Sequence, residues 1–476
     1  MDRKRKIFRH ISSNRRSKMQ KTHKANWDNM RMKKYDIIKA DIGHADEIGD
    51  KTKKEDFHMK KVAALILALI LVLACAFSAN AEGREVVKVW HLWTGAMANA
   101  MDELAAEFNA SQDKYTVEAL SVPDFQKITV AISSGDGPDL TDSWNSYVTQ
   151  FADMGAMEPL DSYIAADNYD LSDFNQAALA ACRYNGIQYA MPCNMNLVAL
   201  YYNKDLLSAA GYDAPPATYS EMIEIAKATT SVNEDGTLKT LGFPAWPLNN
   251  YRNNMVYALG GNWIDAETLK PSVEAEGNLL TLRAYADYVS EFGVNNVSIF
   301  TSSGKTNDPS DPFLSGKQAL RIDGPWTSGY FAALGLDVNW GITYLPTPDN
   351  QPELKGRQPI SCSTFYIPST AKCKQGAWEF MKYLLGEEGQ TKLFIKNQNL
   401  PARMSMYESE AYKNSLSVAD FFAEMAANEN LVGAPNYVES TEYTSAINEE
   451  IELCFNLEQT PEQTIENITS IADSIF

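Results

Sequence analysis

Short apolar runs near residue 85 give way to apolar residues at the spacing of a helix. The run Val86–Trp90 predicts a strand, and the run Thr116–Leu120 predicts a second one. Between them, four apolar side chains share one face of a predicted helix: Met97, Met101, Leu104 and Phe108. The chain is therefore predicted to begin as a β-α-β unit of an α/β fold.

An apolar and aromatic run without Gly or Pro lies near the middle of the chain. It covers Leu197–Tyr202 and predicts a buried strand, which the polar segment Asn203-Lys204-Asp205 ends before a helix. Two asparagines, Asn194 and Asn196, stand where this strand begins. A buried polar side chain needs a hydrogen-bonding partner, which is either neighbouring backbone or a ligand.

Aromatic, hydroxyl and amide side chains follow two of the predicted strands. Trp93 and Thr94 come after the first strand, and Trp144 and Asn145 end the strand that begins after Pro138. In open α/β sheets, ligands bind beyond the carboxyl ends of the strands. These residues are therefore candidate ligand contacts, and core packing is the alternative for the tryptophans.

Turn and cap patterns mark several element boundaries. Asn185-Gly186 between two short runs predicts a hairpin. Helix-starting capping boxes are predicted at Thr218 and at Thr460, each completed three residues later. The segment Leu241–Trp246 predicts a strand, and the polar and aromatic residues Asn249–Arg252 predict a loop after it.

The first 81 residues differ from the rest of the chain. Residues 1–58 hold 17 Lys and Arg against 9 Asp and Glu, and no apolar period runs through them, so no packed core is expected there. A basic start at Met59, a short apolar run and Ala79-Asn80-Ala81 predict a signal peptide over residues 59–81. Residues 1–58 are therefore interpreted as a start-site misassignment, and a disordered basic extension is the alternative.

Cys75 gives the leader a second interpretation. The segment Val72-Leu73-Ala74-Cys75 loosely resembles a lipobox, in which the cysteine is lipidated and becomes the new amino terminus. Cleavage after Ala81 predicts soluble export to the periplasm or the extracellular space, whereas processing at Cys75 predicts a lipid anchor on the cell surface.

The segment Glu82–Phe476 is strongly acidic. Without the charges of residues 1–58 and the two leader lysines, 23 basic and 52 acidic residues remain, a net charge of −29. Such a surface repels nucleic acid and anionic membranes. Its five cysteines include no C-x-x-C pair, which argues against a metal cluster and allows at most two disulfides.

Several segments, taken in order, resemble the extracellular solute-binding proteins (family 1) of ABC sugar importers. They are Val87–Gly95, Pro138–Asp161, Tyr184–Lys227, Phe313–Trp326 and Ala377–Gln390. The most specific parts are Tyr-Asn-Lys-Asp within the third segment and Gly-Pro-Trp at the end of the fourth. Maltose-binding and glycerol-phosphate-binding proteins belong to this family.

The resemblance implies a two-lobe, periplasmic-binding-protein-like α/β fold of type II, with the lobes joined by crossover strands. The first lobe is expected to comprise residues 84–200 and 342–385, and the second to comprise residues 201–341 and 386–476. The hinge is expected at Tyr202, Asn203, Lys204 and Asp205.

The resemblance also implies a ligand site between the lobes. The tryptophan of the Gly-Pro-Trp motif, Trp326, is expected to stack on a bound sugar. The remaining expected contacts are Trp93, Thr94, Trp144, Asn145, Asn196, Trp246, Asn249, Tyr251, Ser363 and Arg403. Arg403 has an alternative role, since it would equally pair with a carboxylate.

The expected function is that of an exported, monomeric receptor that captures a carbohydrate and delivers it to the permease subunits of an ABC importer. After removal of the leader only His91 remains among the histidines, which excludes a histidine-based metal centre. No G-x-S-x-G elbow is present, so neither an enzyme nor a cofactor is expected. The alternatives are a receptor for a glycerol-phosphate-type anion and a secreted glycosidase that uses paired carboxylates.

Overall fold

The computed structural model describes residues 83–243, 248–265, 268–305, 308–433, 435 and 437–476. The predicted extension, the leader and Trp246 lie outside these residues. None of the helices in these ranges has the length and hydropathy of a membrane span. Gly83–Phe476 forms one compact unit.

The strands are short and are numbered in chain order. They are β1 (Glu85–His91), β2 (Tyr115–Ser121), β3 (Leu140–Trp144), β4 (Arg183–Tyr184), β5 (Ile187–Gln188), β6 (Ala190–Pro192), β7 (Asn194–Met195), β8 (Ala199–Asn203), β9 (Ser231–Val232), β10 (Leu238–Thr240), β11 (Leu320–Asp323), β12 (Trp340–Thr343), β13 (Gln358–Ile360), β14 (Ser363–Tyr366), β15 (Leu400–Pro401) and β16 (Leu431–Gly433).

The helices are numbered in the same way. They are α1 (Gly95–Ser111), α2 (Phe125–Ser134), α3 (Val148–Asp153), α4 (Asp161–Asp167), α5 (Gln176–Ala180), α6 (Lys204–Ala209), α7 (Tyr219–Thr229), α8 (Leu248–Ala258), α9 (Glu276–Phe292), α10 (Val294–Ser302), α11 (Trp326–Leu334), α12 (Lys374–Leu384), α13 (Glu387–Gly389), α14 (Glu410–Lys413), α15 (Ala419–Ala426), α16 (Ser440–Phe455) and α17 (Pro461–Ile475).

The first lobe is built on a five-stranded sheet of order β2-β1-β3-β14-β6. β1 runs parallel to both β2 and β3, whereas β14 is antiparallel to β3 and to β6. The predicted β-α-β unit is confirmed, because α1 connects β1 to β2 and buries Met101, Leu104 and Phe108. The carboxyl ends of β1 and β3 therefore share one edge of this sheet.

The second lobe is built on a three-stranded antiparallel sheet of order β11-β8-β12. Its central strand, β8, confirms the strand predicted from Leu197–Tyr202, and Leu200 and Tyr201 are fully buried in it. The core that includes Leu200 also receives side chains from α7, α8, α9, α16 and α17. The last two helices of the chain thus contribute to the core of this lobe.

The chain passes from the first sheet to the second between β7 and β8, and it returns between β12 and β14. The exact division of the chain between the lobes stays a prediction. The last predicted segment of the second lobe, residues 386–476, contributes to both cores. Leu393, Phe394 and Ala402 lie in the core of the first lobe, whereas Ile447 and Ile468 lie in that of the second.

The first crossing is held by the side chain of Gln358. Its Oε1 accepts the N–H of Val198 at 2.9 Å, and its Nε2 donates to the carbonyl of Val198 at 3.1 Å. Gln358 is 2 % exposed, so these bonds are shielded from water. The N–H and the carbonyl of Val198 both bond to the Gln358 side chain. This side chain therefore takes the place of a neighbouring strand at the point where the chain leaves the first sheet.

Local turn chemistry agrees with the sequence at most of the marked boundaries. Asn185 and Gly186 have φ values of 50° and 79°, as a hairpin turn requires, and both capping boxes are present. The loop predicted for Asn249–Arg252 is wrong, because these residues lie within α8. That segment contains neither Gly nor Pro between residues 248 and 258, and the buried side chains of Met255 and Val256 favour a helix.

Candidate functional site

A cavity of about 250 Å³ lies between the two lobes. The first lobe contributes Asn145, Ser146 and Thr149, which follow the carboxyl end of β3. This is the sheet edge that the sequence predicts for a ligand site, and Asn145 is the one predicted contact among the described residues that line the cavity.

Asn145 is fixed by two hydrogen bonds to Cys362. Its backbone N–H donates to the Cys362 carbonyl at 3.0 Å, and its Oδ1 accepts the Cys362 N–H at 2.9 Å. Only 3 % of the residue is exposed. The side chain is thus held in place by the backbone immediately before β14, and its orientation does not depend on a ligand.

The opposite wall comes from α8, α16 and the segment that follows α8. Asn253 and Tyr257 lie on α8, Thr444 and Asn448 lie on α16, and Trp263 follows α8. Residues four apart in a helix share a face, so each helix presents two polar or aromatic side chains to the cavity. The sequence prediction missed all five of these residues. The two pairs on the helices are each four positions apart, but an ordinary solvated helix face has the same spacing.

Two amides on this wall are held by donor groups of neighbouring residues. The Oδ1 of Asn253 accepts the indole N–H of Trp263 at 3.3 Å. The Oδ1 of Asn448 accepts from the guanidinium of Arg252. Arg252 is 9 % exposed, its Nη1 lies 3.9 Å from Oε1 of Glu452, and burial lowers the pKa of its guanidinium.

Two of the predicted contacts, Trp326 and Tyr251, meet at the carboxylate of Asp323. The Oδ1 of Asp323 accepts the indole N–H of Trp326 at 2.8 Å and lies 3.4 Å from the hydroxyl of Tyr251. Burial and the neighbouring carboxylate raise the pKa of Tyr251 well above its ordinary value. One acidic group thus orients two of the aromatic rings predicted to contact a ligand.

Asp323 itself is held by a buried arginine. The Nε of Arg321 donates to Oδ2 of Asp323 at 2.7 Å, and Nη1 of Arg321 contacts both oxygens of Asp311 at 2.6 and 2.7 Å. The Arg321 side chain is fully buried, so its charge requires both acids. This arrangement fixes the carboxylate of Asp323 before any ligand binds.

The predicted contacts of the first lobe differ in their surroundings. Trp144 is 45 % exposed and packs beside Phe125, with 5.8 Å between ring centroids. Trp93 is half-buried and packs edge-on against Phe365 at 5.6 Å. Thr94 is exposed at the start of α1. Trp144 is therefore partly accessible from solvent, whereas the ring of Trp93 contributes mainly to packing.

Asn196 and Ser363 lie close to the first crossing. The N–H of Asn196 donates to the carbonyl of Ser361 at 2.8 Å, and Ser363 is paired opposite Trp144 in the sheet. The Oδ1 of Asn194 accepts the N–H of Ser363 at 2.7 Å. Asn194 is thus satisfied by backbone, which is one of the two possibilities that the sequence left open.

Arg403 is engaged away from the cavity. Its Nε donates to Oδ2 of Asp173 at 2.9 Å, and its guanidinium lies over the ring of Phe174 at 5.0 Å. Arg403 is not among the described residues that line the cavity. Asn249 lies on α8. The structure thus brings some of the predicted contacts together, but Arg403 is apart from them.

The predicted hinge residues lie at the junction of β8 and α6. Tyr202 and Asn203 end the central strand of the second sheet, and Lys204 and Asp205 begin α6. The Oδ1 of Asn203 accepts the N–H groups of Asp205 and Leu206 at 3.0 Å each and so caps the helix. Their role as a hinge stays a prediction.

Comparison with known proteins gives two kinds of relatives at similar identity. The chain is 26 % identical to the maltotriose-binding protein of Pyrococcus abyssi over 63 % of this chain and 62 % of that protein's length. It is 26 % identical to the sn-glycerol-3-phosphate-binding periplasmic protein UgpB of Rhizobium meliloti over 72 % of this chain and 81 % of that protein.

Solved structures share the two-lobe fold. CpMnBP1 with mannobiose bound superposes with a TM-score of 0.70 at 24 % identity, covering 82 % of this chain and 100 % of that one. The sugar-binding protein MalE of Xanthomonas citri gives a TM-score of 0.68 at 20 % identity, covering 82 % and 97 %. The predicted α/β fold of two lobes is confirmed by these superpositions.

A family model described as bacterial extracellular solute-binding protein matches residues 103–419. This match confirms the predictions that the chain is exported and that it is a binding protein and not an enzyme. The cleft between two lobes, with an amide and aromatic lining, is the architecture that such a protein needs. The chain belongs to the bacterial extracellular solute-binding protein family.

Proposed function

We propose that the protein captures a mono- or oligosaccharide between its two lobes and delivers it to the permease subunits of an ABC importer. The observation that carries this proposal is the lining of the cavity, which combines amides, hydroxyls and aromatic rings. A sugar ring packs its C–H face on an aromatic side chain, while its hydroxyl groups form hydrogen bonds with amides. The relatives named for maltotriose and the neighbour with bound mannobiose support the same ligand class.

Charge argues for a neutral ligand. None of the described residues that line the cavity is charged, and the segment Glu82–Phe476 carries a strong negative charge overall. A phosphate would need a cation or several N–H groups directed at it. Arg403, one of the predicted ligand contacts, is engaged by Asp173.

A glycerol-phosphate-type anion is the second candidate because of Arg252. Its guanidinium contacts Asn448, which lines the cavity, and burial strengthens the electrostatic effect of such a charge. The UgpB relatives support this candidate. A glycosidase is not favoured, since the described lining includes no Asp or Glu to act as a catalytic pair.

Binding is proposed to work by stabilising a closed arrangement of the lobes. A ligand that contacts both walls of the cavity favours that arrangement by its differential affinity, which the permease would then sense. The protein is proposed to act as a monomer without a cofactor and without binding nucleic acid. Whether cleavage after Ala81 or lipidation at Cys75 completes export is decided by the intact mass of the exported protein.

The proposal is tested by thermal unfolding of the exported protein in the presence of individual glycans and of glycerol 3-phosphate. A ligand at 100 times its Kd adds about 2.7 kcal/mol to the free energy of unfolding, which raises Tm by a few degrees. The variant Asn253→Ala should lose this response, whereas Asn467→Ala, at an exposed position of α17, should keep it.

The outcomes separate the candidates. Stabilisation by a neutral glycan supports the proposal. Stabilisation by glycerol 3-phosphate alone, weakened by added salt, supports the second candidate. No response to any of these ligands contradicts both.

A further inference from the structure

Two cysteines from distant parts of the chain meet in the core of the first lobe. The sulfur atoms of Cys182 and Cys362 are 3.9 Å apart, although the residues are separated by 180 positions. Both residues are fully buried in a cluster that also contains Ile128 and Phe151. A shift of about 2 Å would bring the two sulfurs to the length of a disulfide.

Sheet geometry selects Cys182 over Cys193 as the partner of Cys362. The backbone of Cys193 neighbours that of Ser363, with an N–H to carbonyl bond of 2.9 Å. Nevertheless, Cys193 packs with Met191 and Phe365 on one face of the sheet, whereas Cys362 packs with Cys182 and other residues on the opposite face. Side chains on opposite faces of a sheet are separated by the backbone itself.

The remaining described cysteines lie elsewhere. Cys373 contacts Glu85, with 3.5 Å between its Sγ and the carboxylate Oε2, and Cys454 belongs to the core of the second lobe. The pair in the first lobe is therefore the pair that the fold places in contact.

We propose that Cys182 and Cys362 are joined by a disulfide in the exported protein, and that this bond braces the cleft wall formed by Asn145. An extracellular compartment permits such a bond, whereas the cytosol keeps thiols reduced. The brace follows from the two hydrogen bonds that Cys362 makes with Asn145, because a cross-link at Cys362 limits the movement of that segment.

The bond forms by thiol–disulfide exchange with a disulfide-bonded oxidant, either an oxidoreductase or a small-molecule disulfide. One cysteine thiolate attacks the disulfide of the oxidant, which forms a mixed disulfide and releases one sulfur of the oxidant as a thiolate. The second cysteine thiolate then attacks the sulfur of the first cysteine and releases the other sulfur of the oxidant. The oxidant is thereby reduced by two electrons, and its two thiols carry the two protons of the cysteines. Burial raises the pKa of the Cys182 thiol well above its ordinary value, so exchange occurs before the core closes during folding.

The bond is detected by peptide mapping of the exported full chain. The protein is unfolded and alkylated at harvest without a reductant, digested and analysed by mass spectrometry. The expected result is one cross-linked peptide pair containing Cys182 and Cys362, with Cys193, Cys373 and Cys454 alkylated. Alkylation of all five cysteines overturns the proposal, and so does a cross-link between Cys362 and Cys193.

Variants measure the contribution of the bond to stability. A disulfide that closes a loop of this length restricts the unfolded chain strongly, so Cys182→Ser should lower Tm by about 5 °C. Addition of a reductant during unfolding should lower the Tm of the unaltered protein and of Cys193→Ser, but not that of Cys182→Ser. Equal sensitivity of all three proteins to the reductant contradicts the assignment. The result does not depend on the identity of the solute.

Discussion

Asp142 should make the stability of this protein fall as the pH rises towards neutrality. The residue lies in β3 and is 2 % exposed, and its Oδ1 accepts the N–H of Leu92 at 2.9 Å. Burial raises the pKa of its carboxyl group from 3.8 to about 7, although the bond from Leu92 acts in the opposite direction. Tyr366 and Cys193 lie near enough for Asp142 to raise their pKa values as well.

The direction and size of the effect follow from proton linkage. A carboxyl group whose pKa is higher in the folded state contributes stability that is fully present below pH 3.8 and is lost as the pH rises to 7. The two pKa values differ by about 3, and each pH unit between them is worth about 1.4 kcal/mol. Asp142 is therefore expected to remove about 4 kcal/mol from the free energy of unfolding between pH 4 and pH 8.

The variant Asp142→Asn removes this titration while keeping an oxygen for the Leu92 N–H. Urea unfolding at pH 4 and pH 8 should show the variant gaining about 4 kcal/mol relative to the unaltered protein across this interval. Asp124→Asn is a control of opposite sign, because the N–H of Lys127 lowers the pKa of that exposed carboxyl group. A difference between Asp142→Asn and the unaltered protein that stays constant with pH would refute the reasoning.

Two further variants probe the cleft. Asp323→Asn leaves one oxygen for two sets of donors, so it should cost about 3 kcal/mol in urea unfolding. Trp326 is not among the described residues that line the cavity, so its displacement should weaken solute binding about tenfold through the stacking contact that the family resemblance implies. Unaltered binding by Asp323→Asn would contradict this positioning role. Asp173→Asn, at the partly exposed pair with an arginine, should cost less than about 1 kcal/mol and leave binding unchanged. Gln358→Ala strips both polar groups of Val198 of their partner and should cost about 2–4 kcal/mol in the same assay, whereas unchanged stability would show that another group replaces the amide.

The parts of the fold that the sequence predicts well depend on local interactions. The Asn185-Gly186 turn and the capping boxes at Thr218 and Thr460 each involve residues within three positions of one another. The strand β8 is similarly evident, since the run Leu197–Tyr202 is apolar and aromatic and lacks Gly and Pro. Each of these sequence patterns is compatible with few local structures, and the fold confirms all four predictions.

The site is harder to predict because its partners are distant in sequence. Arg403 and Asp173 are 230 positions apart, so the sequence could not decide between a ligand and a carboxylate as the partner of this arginine. Asn253 and Asn448 could not be recognised as site residues either, because polar residues on α8 and α16 have the pattern of an ordinary solvated helix face. Only the packing of the second lobe shows that these faces are directed at the first.

The three amide side chains among the described residues that line the cavity share a hydrogen-bonding direction. The oxygen of Asn145 accepts a backbone N–H, that of Asn253 accepts an indole N–H, and that of Asn448 accepts from a guanidinium. Each of these partners can only donate, so the orientation of every amide is determined, and a ligand that reached these amides would meet an NH2 donor. These amides thus present hydrogen-bond donors to the cleft, and they should favour solutes whose oxygen atoms can accept a hydrogen bond. Replacing a contacted sugar hydroxyl by hydrogen would then weaken binding more than converting it to a methyl ether, which keeps an oxygen able to accept.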